Sequence, residues 1–130
     1  MNPLDTVSIY VPLSAEYVGI VRLTASGIAS RIGFDIDVIE DIKVSISEVI
    51  SKIIDRNLSQ DRLEIDFNHL EDGIKIDFKL SGGIPEDIFD DEPDNFAFAI
   101  ISALMDDVNM NKDSDILLSM TKKLEGAVLR

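Results

Sequence analysis

Residues 62–80 read RLEIDFNHLEDGIKIDFKL, and their alternation decides the class of fold. Leu63, Ile65 and Phe67 fall on one side of an extended chain, with Glu64 and Asp66 on the other. After the turn Glu71-Asp72-Gly73 the pattern restarts at Ile74 and runs through Ile76 and Phe78 to Leu80. Side chains of a strand point alternately to its two faces, so this stretch predicts a β-hairpin with one face on a core. His69, beside Asn68 and Glu71, reads as a surface histidine at the hairpin end.

Upstream, Ser14 is a natural N-cap for a helix to about Ile32. It carries Tyr17, Val18, Val21, Ala25, Ile28 and Ile32 at helical spacing and Gly33 as its C′ residue. Asp35 or Asp37 caps a second helix to about Arg56, with the stripe Ile39, Ile42, Ile46, Val49, Ile50 and Ile53. Residues 6–11 (TVSIYV) predict a first strand, stopped by Pro12. Downstream, 96–105 (FAFAIISALM) predicts a helix that is apolar almost all round and therefore well buried. Residues 107–110 and 116–121 predict closing antiparallel strands around a turn at 111–115. The order β-α-α-β-β-α-β-β groups its elements instead of alternating them, which predicts an α+β two-layer sandwich: a mostly antiparallel sheet with helices on one face.

The 130 residues are expected to form one domain, 1–130. With 12 Lys+Arg against 25 Asp+Glu the net charge is −13, which argues against a nucleic-acid or anionic-membrane surface. At 45% hydrophobic residues the chain can still bury a core. There is no cysteine, so disulfides, thiolate metal sites and cysteine nucleophiles are excluded, and a single histidine excludes a His-rich metal site. No basic stretch followed by an apolar run opens the chain, and no apolar run approaches membrane-spanning length, so the expected setting is the cytoplasm. Residues 81–95 (SGGIPEDIFDDEPDN) hold −6 of the net charge with no basic residue. Their glycines and prolines predict a loop, with one helical turn at 85–89.

Candidate chemistry is sparse. At ~100° per residue, Asp41, Ser45, Glu48, Lys52 and Asp55 share the side of the second helix away from its apolar stripe, a pattern equally expected of a solvated face. No P-loop or GxGxxG is present.

Three stretches add to this. Residues 41–54 (DIKVSISEVISKII) look like the second helix of a known family, with its V-S-E-A-x-T-N-A core. Residues 104–108 (LMDDV) look like the L-M-D-E-V that ends its late helix, and Ile74, Ile76 and Phe78 fit the strand leading into its D-x-G-x-G box. Together with the element order, they resemble the small anti-sigma factors of the histidine-kinase-like (GHKL, Bergerat-fold) ATPases over about residues 6–124. Those proteins are bacterial serine protein kinases that bind sigma factors in partner-switching modules.

The resemblance implies a role for each matching position. Glu48 takes the place of the glutamate that activates a water or hydroxyl. Lys52 takes the place of the asparagine that holds Mg²⁺, although a protonated ammonium is a donor only and cannot ligate a metal. Leu80 stands where an aspartate would accept from the adenine amino group. Gly82 matches the first glycine of the box and Ile84 replaces its second. Asn95 and Ala97 replace the glycines of the box before the late helix. The implied function is an anti-sigma-factor-like regulator that binds a sigma factor or a STAS-type anti-anti-sigma protein, as a homodimer, with ATP binding impaired or lost and no cofactor or metal. The acidic surface suits a basic partner. The alternative is an active serine kinase using ATP and Mg²⁺ with Glu48 as general base, or with Lys52 neutralising phosphate in place of the metal. A third reading keeps only the fold, in an accessory subunit.

Overall fold

The computed structural model describes residues 3–56, 62–80, 96–110 and 116–124. The expected loop at 81–95, its helical turn at 85–89, the turn at 111–115, and Gly82, Ile84 and Asn95 lie outside the described residues.

The hairpin forms as its alternation requires. Strands β2 (Arg62–Leu70) and β3 (Gly73–Lys79) pair antiparallel through the two-residue turn Glu71-Asp72. Gly73 already belongs to β3, and its missing side chain matters: a Cβ there would run into the backbone carbonyl of Lys122. With β1 (Asp5–Pro12), β4 (Asp107–Asn109) and β5 (Ile116–Lys123), they make a five-stranded sheet of order β1-β2-β3-β5-β4, antiparallel throughout.

Among the described residues three α-helices complete the α+β sandwich: α1 (Val18–Ile32), α2 (Ile36–Asp55) and α3 (Phe96–Leu104). Gly33, with φ of 117°, closes α1 in the left-handed conformation that glycine adopts without strain. Two residues later the Asp35 carboxylate accepts the Val38 N–H at 3.0 Å and caps α2, so the Asp35 alternative is the one realised. Ser14 does not open α1 directly. It caps a 3₁₀ turn (Ala15–Tyr17), in which Tyr17 N–H donates to the Ser14 carbonyl at 3.0 Å, and α1 begins only after this tighter turn.

Helix α2 lies between α1 and α3 and packs on both. Its buried face is therefore wider than its apolar stripe, and Ser45, expected on the solvent side, is completely buried. The Ser45 hydroxyl donates to the Asp41 carbonyl one turn back at 2.9 Å, which lets a small polar residue sit in the core without an unmet hydrogen bond. Leu63, Ile65, Phe67, Ile74, Ile76 and Phe78 form the floor of that core on the sheet side.

Helix α3 departs from expectation. Apolar almost all round, it nonetheless buries only Ala97 and Ile101, while Phe96, Phe98 and Ile100 are exposed. Its packing runs along one line at i, i+4 spacing, continued by the buried Met105 just beyond its end. Composition reports how much of a helix could be buried, not how many neighbours are there to bury it.

Candidate functional site

The described positions marked by the resemblance fall on three elements. Glu48 and Lys52 stand one turn apart on α2, both half-buried. Leu80 follows the last residue of β3 and is only 3% exposed. Ala97 sits in the first turn of α3, buried, on the helix that packs against α2. Leu80 offers no hydrogen-bond acceptor on its side chain. Ala97 brings a Cβ to the position where the resemblance expects a glycine. Among the described residues, no group of three or more acidic or histidine side chains is placed to hold a metal ion.

The solvent side of α1 is a second candidate surface. Ile20 is 51% exposed and Leu23 is 72% exposed. Gly19 and Gly27 flank them on the same face, and a Cβ at either would meet no atom within 4 Å. Each glycine in a helix interior costs about 1 kcal/mol relative to alanine, and nothing inside this fold requires either one. Beside them lies a groove of about 400 Å³ lined by Glu16, Gly19, Ile20, Arg22, Leu23 and Lys43 of α2. An apolar, notched helix face of this kind is suited to receive another protein.

A third cluster occupies the sheet face away from the helices. The register sets Asp66 directly opposite Asp77, with Ser119 next in the row. Two carboxylates so placed repel unless each is separately neutralised or hydrogen-bonded. Asp77 accepts from Ser119 Oγ at 2.6 Å and from Asn68 Nδ2 at 3.0 Å, and Asn68 Oδ1 in turn accepts from Thr6 Oγ1 at 2.9 Å. Asp66 Oδ2 takes the Lys79 ammonium at 2.7 Å, and Glu64 lies 3.8 Å from the same ammonium. Burial pushes the Asp66 carboxyl up, but hydrogen bonding to Lys79 and Ser8 together with the Lys79 charge outweighs it and holds the group below the ordinary carboxylate range. Lys79 is correspondingly raised, chiefly by its hydrogen bond to Asp66. Asp66 Oδ1 is buried and without a hydrogen-bond partner among the described residues. This cluster ties β1, β2, β3 and β5 together across the outer face of the sheet.

Comparison with known proteins decides the family. The chain is 36% identical to the serine-protein kinase RsbW of Halalkalibacterium halodurans, over 93% of this chain and 85% of that protein. It is 34% identical to the serine-protein kinase RsbW of Staphylococcus aureus, over 97% of this chain and 91% of that protein. The chain belongs to the RsbW family. No family model matches it. As an RsbW-family chain it belongs with the anti-sigma factors and serine kinases of the histidine-kinase-like fold, and the antiparallel two-layer architecture agrees with that placement. Family membership ties it to regulation by partner switching through protein partners. Among the described residues no helix is long and apolar enough to cross a membrane.

Two features of this RsbW-family chain escaped sequence reasoning. The exposed α1 face was hidden because Ile20 and Leu23 look like ordinary members of an apolar helix; the signal available was the pair of glycines eight residues apart. The row Asp66–Asp77–Ser119 needs the strand register, which the alternation of single strands does not supply.

Proposed function

We propose that this RsbW-family chain is an anti-sigma-factor-like regulator that works by binding a sigma factor or a STAS-type anti-anti-sigma protein, with ATP binding impaired or lost. The observation that carries the reading is the exposed, glycine-notched α1 face. Ile20 and Leu23 stand in water beside two helix glycines that cost stability and serve no packing inside the fold. Such a face is stabilised when a partner covers it.

The nucleotide side supports the second half of the reading. A purine amino group set against Leu80 would find no acceptor there, which costs about 1–3 kcal/mol when the donor is buried unpaired. Lys52 carries a positive charge where the resemblance expects an oxygen ligand for Mg²⁺, and an ammonium cannot fill that role. The residues present do not fit a Mg²⁺–triphosphate. Homodimerisation and a cytoplasmic setting complete the proposal.

The active-kinase alternative keeps one specific support, Glu48, half-buried on α2 at the place of the activating glutamate. The test uses a candidate sigma factor and a STAS-type protein from the same organism. Tight binding to either, without phosphate transfer from ATP, is the expected result. Transfer that disappears in Glu48→Ala would establish the kinase reading instead, and binding to neither protein would leave only the fold in common.

A further inference from the structure

Helix α3 carries two apolar stripes, and the core takes up only one of them. Ala97 and Ile101 face inward and are buried. At ~100° per residue, Phe96, Ala99, Ile100 and Ala103 fall on a different side, at i, i+3, i+4 and i+7 spacing. All four are exposed, Phe96 at 68% and Ile100 at 37%. That spacing is the one by which a helix packs against another helix. The two alanines between the larger side chains leave room for a second backbone to come close.

The strip is uncharged and its neighbours are acidic. Residues 95–105 hold no charge, while the stretch 81–95 that leads into Phe96 has six acids and no base. Asp106 and Asp107 follow the helix and are exposed. Of the two lysines at that end, Lys122 and Lys123, the first donates its ammonium to the Leu104 carbonyl at 2.8 Å. On α2, Val38 lines one cavity with Asp106 and Asp107, so the side of α2 bearing Val38, Asp41, Ser45 and Glu48 is turned to α3. Between Ile36 and Ser51, that side and the crest of α2 hold Asp37, Asp41 and Glu48 and no cation. Lys43, the one cation of that span, lies on the other side, lining the α1 groove 3.1 Å from Glu40.

An apolar strip among acids argues against a second copy of this chain as its occupant, because two such strips packed together would oppose like charges at −13 per chain. Its complement is a helix with apolar residues along one face and lysine or arginine at the edges. We propose that α3 docks such a basic amphipathic helix of a partner protein. This surface is separate from the α1 face, because α2 lies between the two helices. It also differs in charge, since the α1 groove carries Arg22 and Lys43 against Glu16. The two faces therefore select segments of opposite charge, and the α3 surface stands whether or not α1 binds a partner.

The probe is a labelled peptide of about 18 residues, five turns, built of leucine and lysine with all leucines on one helical face. Titrated against the full chain by fluorescence polarisation, it should bind saturably, and more weakly as salt rises. A scrambled peptide of the same composition and a leucine–glutamate peptide of the same pattern should each bind ~10-fold or more weaker. Phe96→Gln combined with Ile100→Gln should weaken the patterned peptide ~10-fold without lowering the urea midpoint, because both side chains already face water. Ala103→Arg, which keeps both large side chains and suits a helix, should obstruct the same strip to a similar degree. Ile20→Gln combined with Leu23→Gln should leave the affinity unchanged. Equal affinity for the scrambled peptide would reduce the effect to net charge and overturn the proposal, as would unchanged binding in the α3 variants. Loss of binding in the α1 variant would place the peptide on α1 and overturn it too. Self-association that disappears in the Phe96→Gln, Ile100→Gln variant, read by sedimentation velocity, would give the strip to a second copy and overturn the choice of partner.

Discussion

The nucleotide side and the α1 face of this molecule are opposites in what they bury. At the end of β3 and the start of α3, the positions that the resemblance assigns to purine and phosphate recognition hold the buried apolar side chains of Leu80 and Ala97. On α1, apolar side chains are exposed where water would favour polar ones: Ile20 and Leu23 face solvent between two open glycines. On the proposed reading, the first region is closed against a polar ligand and the second is open to an apolar one. Taken together they point to recognition of a protein surface in place of a nucleotide.

The largest effect is expected from forcing the closed region open. Leu80→Asp would bury a carboxylate with no partner and lower stability by about 3 kcal/mol, measured by urea unfolding. A variant that instead keeps its stability and gains ATP affinity would break the comparison, since the site would then be one residue from function. The open region is probed by Ile20→Asp combined with Leu23→Asp. Partner affinity should fall by ~100-fold while unfolding stability changes by less than about 0.5 kcal/mol, because both side chains already face water.

The outer sheet face is the control, since its carboxylates are buried and each has a hydrogen-bonded partner on at least one oxygen. Lys79→Met should cost about 2 kcal/mol at neutral pH by leaving Asp66 without its cation. Because the Asp66 carboxyl is depressed in the folded state, its contribution is present above the ordinary carboxylate range and is lost as pH falls through the depressed value. Acid unfolding of the unaltered chain should therefore steepen below about pH 4, and the Lys79→Met variant should lack that part of the profile. The smallest effect is the most diagnostic for α1. Gly27→Ala should stabilise the free chain by about 0.5–1 kcal/mol while weakening partner binding. Stabilisation with unchanged binding would mean that the notch is not used.

Much of the fold was legible because its signals are local. Asp35 and Gly33 mark the helix boundary through backbone chemistry that depends on neighbouring residues alone, and the hairpin alternation needs only the period of a strand. The failures share one cause. Ser45 is buried because α2 has neighbours on two sides, and α3 is exposed because its packing is confined to one line. Both outcomes depend on how many elements surround a helix, which periodicity does not encode. The candidate site was legible only by resemblance. Glu48 and Lys52 share a helix face, as their spacing requires, and Leu80 continues the core-facing alternation of its strand, but only the folded chain shows which residues of the apolar helix α3 are buried, Ala97 among them.

The most direct measurement is isothermal titration of the full chain with ATP and ADP, each with and without Mg²⁺. No saturable binding into the millimolar range is expected, with or without the metal. A micromolar dissociation constant, strengthened by Mg²⁺, would contradict the view that the nucleotide side is closed.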